Sequence, residues 1–137
     1  MFKVVPILPP PGTLSAAKYK RAVKQAIGIA ETAGLQEARA VSRKWQHKPA
    51  WSIDRKGEYE SNIVTDDEIF GYQDKGTKPH PIAARKKRAL YWAGAAHPVK
   101  RVNHPGTKAM HYSEAIAERM QTQYKRIMDE QIKQAIP

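Results

Sequence analysis

The chain contains no cysteine. It can therefore form neither a disulfide framework nor a metal site built on thiolates. It also lacks any apolar run that approaches the roughly 18 residues of a membrane-spanning helix, so we expect no membrane partner. The apolar residues at the amino terminus are few and are interrupted by Pro6, a pattern that does not fit a signal peptide. These absences fit a protein that folds in a reducing cytoplasm.

Acidic side chains are absent from one long stretch, residues 75–113, which contains no Asp or Glu and nine Lys or Arg. This stretch thus supplies most of the net charge of +11. Residues 54–74, directly before it, carry seven Asp or Glu against two Lys or Arg. An asymmetry of this kind bears on partners rather than on fold. A solvated surface on which the charges simply balance remains an alternative.

The amino-terminal third predicts one long helix over residues 13–45, preceded by an arm over residues 1–12. Apolar residues recur there every three or four positions, which is the helical period. Thr13 or Ser15 can provide the N-cap oxygen. Gly34 is the one position where we expect a bend.

The middle of the chain predicts an antiparallel sheet with basic loops over residues 50–103. Short runs with strand character are separated by turn residues, and the expected strands are Trp51–Ile53, Tyr59–Thr65, Glu68–Tyr72, Leu90–Ala93 and Val99–Val102. The strand at Leu90–Ala93 is expected to be buried between two rigid Gly- and Pro-containing turns. An amphipathic helix over residues 111–135 completes the chain. The fold class is therefore α+β, with a single domain over residues 1–137 in which both helices pack on one sheet of four or five strands.

No motif in the sequence points to an enzyme. Gly76-Thr77-Lys78 lacks the order of a phosphate-binding loop, and no serine lies in a nucleophile elbow. The four histidines of the basic stretch are His80, His97, His104 and His111. Their spacings of 17, 7 and 7 residues match no compact pattern of metal ligands. We therefore expect no catalytic residue, no cofactor and no bound metal. The alternative is a metal-dependent nuclease, which would bind zinc or nickel tightly and lose that binding in His104→Ala.

Nucleic-acid binding is better supported by the residues than catalysis is. The cations that could contact the phosphates of a nucleic acid are Arg85, Lys86, Lys87, Arg88, Lys100, Arg101 and Lys108. Tyr91 or Trp92 could stack on bases. The same apolar run is also typical of a buried strand behind a basic loop. Neither helix has the character of a recognition helix, so any contact is expected to be non-specific.

Four features in their order resemble the head–tail joining proteins of tailed phages, also called neck, tail-completion or minor tail proteins. They are the segment Phe70–Thr77, with an aromatic residue and an acidic residue before Gly-Thr, the Pro79-His80-Pro81 triplet, the basic residues before Ala89–Trp92, and the segment Val102–Lys108 before a terminal helix. The resemblance runs from about Ile69 to the carboxyl end. The turn residues that carry it are Tyr72, Gly76, Thr77, Pro79, His80, Pro81, Asn103, His104, Pro105, Gly106 and Thr107. The chain departs from the family pattern at Ala109–Tyr112, where prolines and a Phe are usual, and at Trp51–Asp54, where an Asp-Thr-Gly segment is usual.

The resemblance implies an α+β fold and a structural role in the virion. It implies a ring of copies around the DNA channel at the head–tail junction, assembled in the host cytoplasm. The implied partners are the portal or connector on one side, the tail tube on the other, and further copies of the chain. The basic residues from Arg85 to Lys108 would then face the DNA or the acidic segment of a neighbouring copy. The alternative is a small basic protein that binds nucleic acid non-specifically.

Overall fold

The computed structural model describes residues 2–4 and 15–136. Its elements are β1 (Phe2–Val4), α1 (Ala16–Val41), β2 (Ser52–Arg55), β3 (Ser61–Val64), α2 (Glu68–Lys75), β4 (His80–Ala83), β5 (Arg101–His104) and α3 (Tyr112–Ala135). They divide into two compact units. The helical unit comprises the described residues up to Glu68 and those from His111 onward, and the ribbon unit comprises residues 69–110. That the whole chain forms one domain stays a prediction. No helix among the described residues is both long and apolar enough to cross a membrane.

The long amino-terminal helix is confirmed as α1, with bounds inside the predicted 13–45. The Ser15 side chain accepts a hydrogen bond from the backbone N–H of Lys18 and caps the first turn. The helix continues without a break through Gly34. A Cβ at Gly34 would lie 3.1 Å from side-chain atoms of Phe2 and Ile63. This glycine therefore permits close approach to the sheet and does not end the helix.

The carboxyl-terminal helix is confirmed as α3, and it packs against α1 to form the main core. The buried residues of this core are Val23, Ala26, Ile27 and Ala30 of α1 with Tyr124, Ile127 and Met128 of α3. The alanines of α1 have small side chains, which leaves room for the larger side chains of α3. The apolar stripe that the sequence shows on each helix is thus the interface between them.

The helical unit also contains a three-stranded antiparallel sheet in the order β1-β3-β2. Ile63 of the central strand lies opposite Phe2 on one side and Ile53 on the other, and it is fully buried. The first two predicted strands are confirmed here. The fold class α+β is confirmed as well, but the expected single sheet of four or five strands is wrong, because β4 and β5 form a separate two-stranded sheet.

The predicted strand at Glu68–Tyr72 is wrong, since these residues lie in helix α2. Phe70 and Asp74, four residues apart, are the buried positions of α2, whereas Ile69 and Tyr72 are exposed. Burial four residues apart is a helical pattern. A run this short shows too few turns for its period to distinguish helix from strand.

The predicted buried strand at Leu90–Ala93 is also wrong. Leu90 forms only an isolated bridge with Val99, and the side chains of Tyr91 and Trp92 are exposed. The strand β4 lies instead at His80–Ala83, where Pro79 and Pro81 indicated a turn. A proline is tolerated in β4 because each strand of a two-stranded sheet is an edge strand. The expected strand Val99–Val102 corresponds in part to β5, which begins two residues later.

The hydroxyl of Tyr124 gives a testable prediction about the α1–α3 core. It is buried and has no hydrogen-bond partner among the described residues, and this burial, with a smaller effect of Tyr19, raises the pKa of Tyr124. We expect Tyr124→Phe to leave the free energy of unfolding unchanged or to raise it by up to about 1 kcal/mol, because a desolvated polar group is removed. Tyr124→Ala should lower it by about 3–5 kcal/mol, because the ring fills the core. Urea unfolding of both variants measures the difference, and a loss of about 1 kcal/mol or more in Tyr124→Phe would show that the hydroxyl has a hydrogen-bond partner.

Candidate functional site

The two Gly-Thr-Lys turns of the sequence pair with each other in the ribbon unit. The backbone N–H of Thr77 donates to the Thr107 carbonyl oxygen at 2.9 Å, and the N–H of Thr107 donates back to the Thr77 carbonyl oxygen at 3.2 Å. The Thr77 hydroxyl accepts a further hydrogen bond from the Thr107 N–H at 2.9 Å. The two turns therefore form one structure, the base of an antiparallel ribbon.

Gly76 and Gly106 make this pairing possible. Both have positive φ, 74° and 88°, a conformation that side chains disfavour. A Cβ at Gly76 would lie 2.6 Å from the Thr107 carbonyl oxygen, and one at Gly106 would overlap the Thr77 carbonyl oxygen. Each glycine is thus required by the backbone of the opposite turn, 30 residues away in the sequence.

From this base the ribbon continues in constant register through β4 and β5. His80 lies opposite His104, and Ala83 lies opposite Arg101. The Ala84 N–H then donates to the Lys100 carbonyl oxygen at 3.0 Å.

The next paired residues are Leu90 and Val99, which donate hydrogen bonds to each other's carbonyl oxygens. Since Lys100 is bonded to Ala84 and Val99 to Leu90, residues 85–89 have no counterpart on the returning strand. They form a five-residue bulge. Its first four residues, Arg85, Lys86, Lys87 and Arg88, form the basic quartet, and all four are exposed.

Beyond the bulge the ribbon ends in an aromatic turn, defined here as residues 91–95. The Ala95 N–H donates to the Trp92 carbonyl oxygen at 3.0 Å, and Gly94 has a positive φ of 93°. The side chains of Tyr91 and Trp92 are 70% and 46% exposed. The aromatic run that the sequence indicated as a buried strand is therefore open to solvent.

The ring planes of His80 and His104 stack across the ribbon with their centroids 5.1 Å apart. His80 Nδ1 donates to the Lys78 carbonyl oxygen at 2.8 Å, and His104 Nδ1 accepts from the Gly106 N–H at 3.0 Å. Each imidazole therefore stabilises its own turn through a hydrogen bond to the backbone. Together with Tyr72 and Ile82 they line a groove of about 460 Å³.

No three His, Asp or Glu side chains converge on a common point within residues 2–4 and 15–136. His97 is exposed and lies between the aromatic turn and Val99, and His111 precedes α3 in the helical unit. Of the four histidines of the basic stretch, the structure thus brings two together, as a stacked pair.

The charges of the two units differ. The ribbon unit has nine Lys or Arg and a single acid, Asp74, which is buried. Within the described residues none of these nine cations forms a salt bridge. Their positive charge is therefore available to a partner.

Acidic residues of the helical unit are, in contrast, mostly paired within the chain. The buried Glu31 accepts two hydrogen bonds from Arg55. In the acidic segment 54–74, the pairs are Asp54 with Lys56, Glu58 with Lys24, Glu60 with Lys3 and Asp67 with His47. Hydrogen bonding and charge from Lys24 lower the pKa of Glu58.

Two acids of this segment, Asp66 and Glu68, are exposed and form no ion pair in the part of the chain that the structure describes. The acidic segment is therefore largely neutralised by its own chain. A contact with basic residues of another copy would have to use chiefly these two side chains.

The residues predicted from the resemblance mostly come together at the base of the ribbon. Gly76, Thr77, Gly106 and Thr107 form the paired turns, and Pro81 lies opposite Asn103 in register. Pro79, His80, His104 and Pro105 lie in or beside these turns and strands. Tyr72 lies in α2 and lines the groove beside His80 and His104.

The predicted basic residues take three positions along the ribbon. The basic quartet occupies the bulge, Lys100 and Arg101 lie on the returning strand, and Lys108 follows the paired turns. The sequence interpretation missed both the bulge and the exposure of the aromatic turn. The repeated Gly-Thr-Lys was a signal for the ribbon, because pairing the two repeats in antiparallel register aligns β4 with β5.

Comparison of the chain with protein-family models, with curated proteins and with solved structures found no match. The function must therefore be inferred from the residues of this chain. The family resemblance of residues 69–137 stays a prediction.

Proposed function

We propose that this chain is a structural subunit of a phage particle that completes the tail or joins it to the portal end of the capsid. Several copies would form a ring around the DNA channel, with the portal or connector on one side and the tail tube on the other. The observation that carries the proposal is the pairing of Gly76-Thr77 with Gly106-Thr107. Two motif segments that resemble the joining proteins separately thus belong to one structural element.

The open edges of the ribbon favour an assembly role. Among the residues that the structure describes, β4 and β5 pair only with each other, so the other edge of each strand is open to a further strand. An isolated two-stranded ribbon has marginal stability in water. Addition of a strand from a neighbouring subunit would satisfy these groups and stabilise the ribbon.

The charge distribution indicates which side chains would form the contact between copies. In a head-to-tail arrangement the same two surfaces repeat around the ring. The basic quartet of one copy would meet Asp66 and Glu68 of the next, since the other acids of segment 54–74 are paired or buried. Two acids cannot neutralise the nine cations of the ribbon unit, so the remainder would face the DNA. Complementary charges would set the register of the ring more than its affinity.

Deletion of the gene from the phage tests the proposal. We expect electron microscopy of the lysate to show free tails beside separate heads, because the subunit that joins them is missing. Expression of the intact chain from a plasmid should restore joined particles, which controls for effects on neighbouring genes. Intact, joined particles in the deletion lysate would contradict the proposal.

A second candidate function is non-specific binding of nucleic acid. The nine cations of the ribbon unit, which form no salt bridge within the described residues, favour it. The expected signature is a steep loss of affinity with salt, with a log–log slope of about −0.9 for each duplex phosphate contacted. Binding of this kind together with intact particles in the deletion lysate would favour this candidate over the structural one.

A further inference from the structure

The distal half of the ribbon places a dense group of cations beside two exposed aromatic rings. The basic quartet ends at Arg88, and the aromatic turn begins three residues later at Tyr91. Leu90, between them, is held by two backbone hydrogen bonds to Val99. The bulge and the aromatic turn are therefore adjacent along a hydrogen-bonded ribbon.

Further cations flank the bulge from the returning strand. The Lys100 carbonyl oxygen is bonded to Ala84, the last residue before the bulge, and Arg101 lies opposite Ala83. Six Lys or Arg thus occur between Arg85 and Arg101, and no carboxylate does. This part of the ribbon can neutralise several neighbouring phosphates.

We propose that the distal ribbon is a binding site for single-stranded nucleic acid. The basic quartet, Lys100 and Arg101 contact the phosphates, and Tyr91 and Trp92 stack on bases. Cations that follow the backbone, combined with aromatic rings that accept bases, are the general features of sites for single strands. The site is that of the free chain, because in the proposed ring the quartet would contact Asp66 and Glu68 of the next copy.

The exposed aromatic rings favour a single strand over a duplex. In a duplex the bases are stacked on each other, so their faces cannot reach an aromatic side chain unless the helix is opened. Contact with a duplex would use the cations alone and would leave Tyr91 and Trp92 in water. An unstacked strand brings phosphates and base faces to the protein together.

The chemistry of the aromatic turn disfavours an anionic membrane as the partner. Apart from its two aromatic residues, the turn has only Ala93, Gly94 and Ala95. These residues supply methyl groups and little apolar area for insertion between lipids, on which interfacial binding depends. An acidic protein could pair with the cations, but its carboxylates would leave the exposed rings of Tyr91 and Trp92 without a partner.

The test is fluorescence anisotropy with a labelled oligothymidylate and a labelled duplex of the same length. We expect the intact chain to bind the single strand more tightly than the duplex. The double variant Tyr91→Ala with Trp92→Ala should weaken single-strand binding by about 30-fold or more, because stacking on two rings is lost. It should change duplex binding by less than about 2-fold, since the cations that would contact duplex phosphates remain.

Two further variants separate stacking from charge. Tyr91→Phe with Trp92→Phe keeps both rings and should bind the single strand within about 3-fold of the intact chain, because every base has a face that can stack on a ring. Replacing the basic quartet with glutamine should weaken binding of both nucleic acids and reduce the single-strand salt slope by up to about 3, at roughly 0.7 for each phosphate.

The matched charge control replaces four exposed lysines of the helical unit with glutamine, namely Lys20, Lys44, Lys125 and Lys133. This variant has the same net charge as the glutamine variant of the quartet but should bind nearly as well as the intact chain. Equal binding of single strand and duplex, or no effect of removing the two rings, would overturn the proposal. Tighter binding to polyglutamate or to anionic phosphatidylserine vesicles than to the oligonucleotide would also overturn it.

Discussion

Replacing Gly106 with alanine is expected to open the base of the ribbon while the helical unit stays folded. At φ 88° an alanine is strained, and its Cβ would overlap the Thr77 carbonyl oxygen. Strain of this kind costs about 1–3 kcal/mol. Relief of the overlap would separate Thr77 from Thr107 and lose their reciprocal hydrogen bonds, each of which contributes about 0.5–1.5 kcal/mol. Because a two-stranded ribbon is only marginally stable, we expect the loss of stability to be large in the ribbon and to leave the helical unit unaffected.

Native-state hydrogen exchange can measure this loss residue by residue. We expect the Thr77 and Thr107 amides to exchange about 30-fold faster or more in Gly106→Ala, which corresponds to about 2 kcal/mol. Gly76→Ala should act in the same direction, since its Cβ would meet the Thr107 carbonyl oxygen. Amides in the α1–α3 core should be unaffected.

Gly28→Ala is the matched control. Gly28 lies within α1, and a Cβ there would meet no atom within 4 Å. Alanine should stabilise the helix by about 0.5–1 kcal/mol, because it has the higher helix propensity. Unchanged protection of Thr77 and Thr107 in Gly106→Ala would contradict the requirement for glycine in the paired turns.

Reversal of the basic quartet to four glutamates is expected to abolish the joining of heads to tails without unfolding the chain. The four side chains are exposed and form no salt bridge within the described residues. Their loss should therefore leave the fold intact, which circular dichroism and hydrogen exchange can verify. The substitution lowers the net charge from +11 to +3. It also places negative charge where the proposed contact requires positive charge, and like charges at a contact suppress association.

Complementation of the deletion phage measures this effect. Plasmid-borne variant protein should leave heads and tails separate, whereas the intact chain should join them. The control reverses four exposed lysines of the helical unit, Lys20, Lys44, Lys125 and Lys133, to glutamate. It has the same net charge and should still support joining. Normal joining by the quartet variant would contradict the electrostatic part of the proposal.

A charge exchange then distinguishes the two partners proposed for the quartet. Asp66→Lys with Glu68→Lys should restore joining in the quartet variant if the quartet contacts these acids on a neighbouring copy. Joining should stay absent if the quartet contacts DNA, because the phosphates are not changed. The two outcomes separate a contact between subunits from a contact with the channel contents.

The two long helices and the fold class were predictable, because helical periodicity is a local property. Val23, Ala26, Ile27 and Ala30 recur at helical spacing, and each is buried in the structure. The strands β2 and β3 were also predictable, since a short turn joins two runs of strand character. The wrong prediction of a strand at α2 has a local cause as well. Its eight residues form only about two helical turns, which are too few to reveal the helical period.

The ribbon shows what could not be predicted from local patterns. Pro79 and Pro81 indicate a turn when they are considered alone, yet Pro81 lies in β4 opposite Asn103. Whether a segment becomes a strand depends on the partner it meets, and here the partner is more than 20 residues away in the sequence. Tyr91 and Trp92 have the composition of a buried strand, but both side chains are exposed.

The two long helices, the charge asymmetry and the turns at Gly76 and Gly106 could be predicted from the sequence, because they follow from composition and from spacing over a few residues. That the two Gly-Thr-Lys turns pair with each other is seen in the three-dimensional structure alone. That pairing sets the register of β4 and β5, and the register leaves residues 85–89 without a counterpart. The physical reason is that antiparallel hydrogen bonds join residues far apart in the chain, so the position of the basic quartet depends on contacts that no local pattern contains.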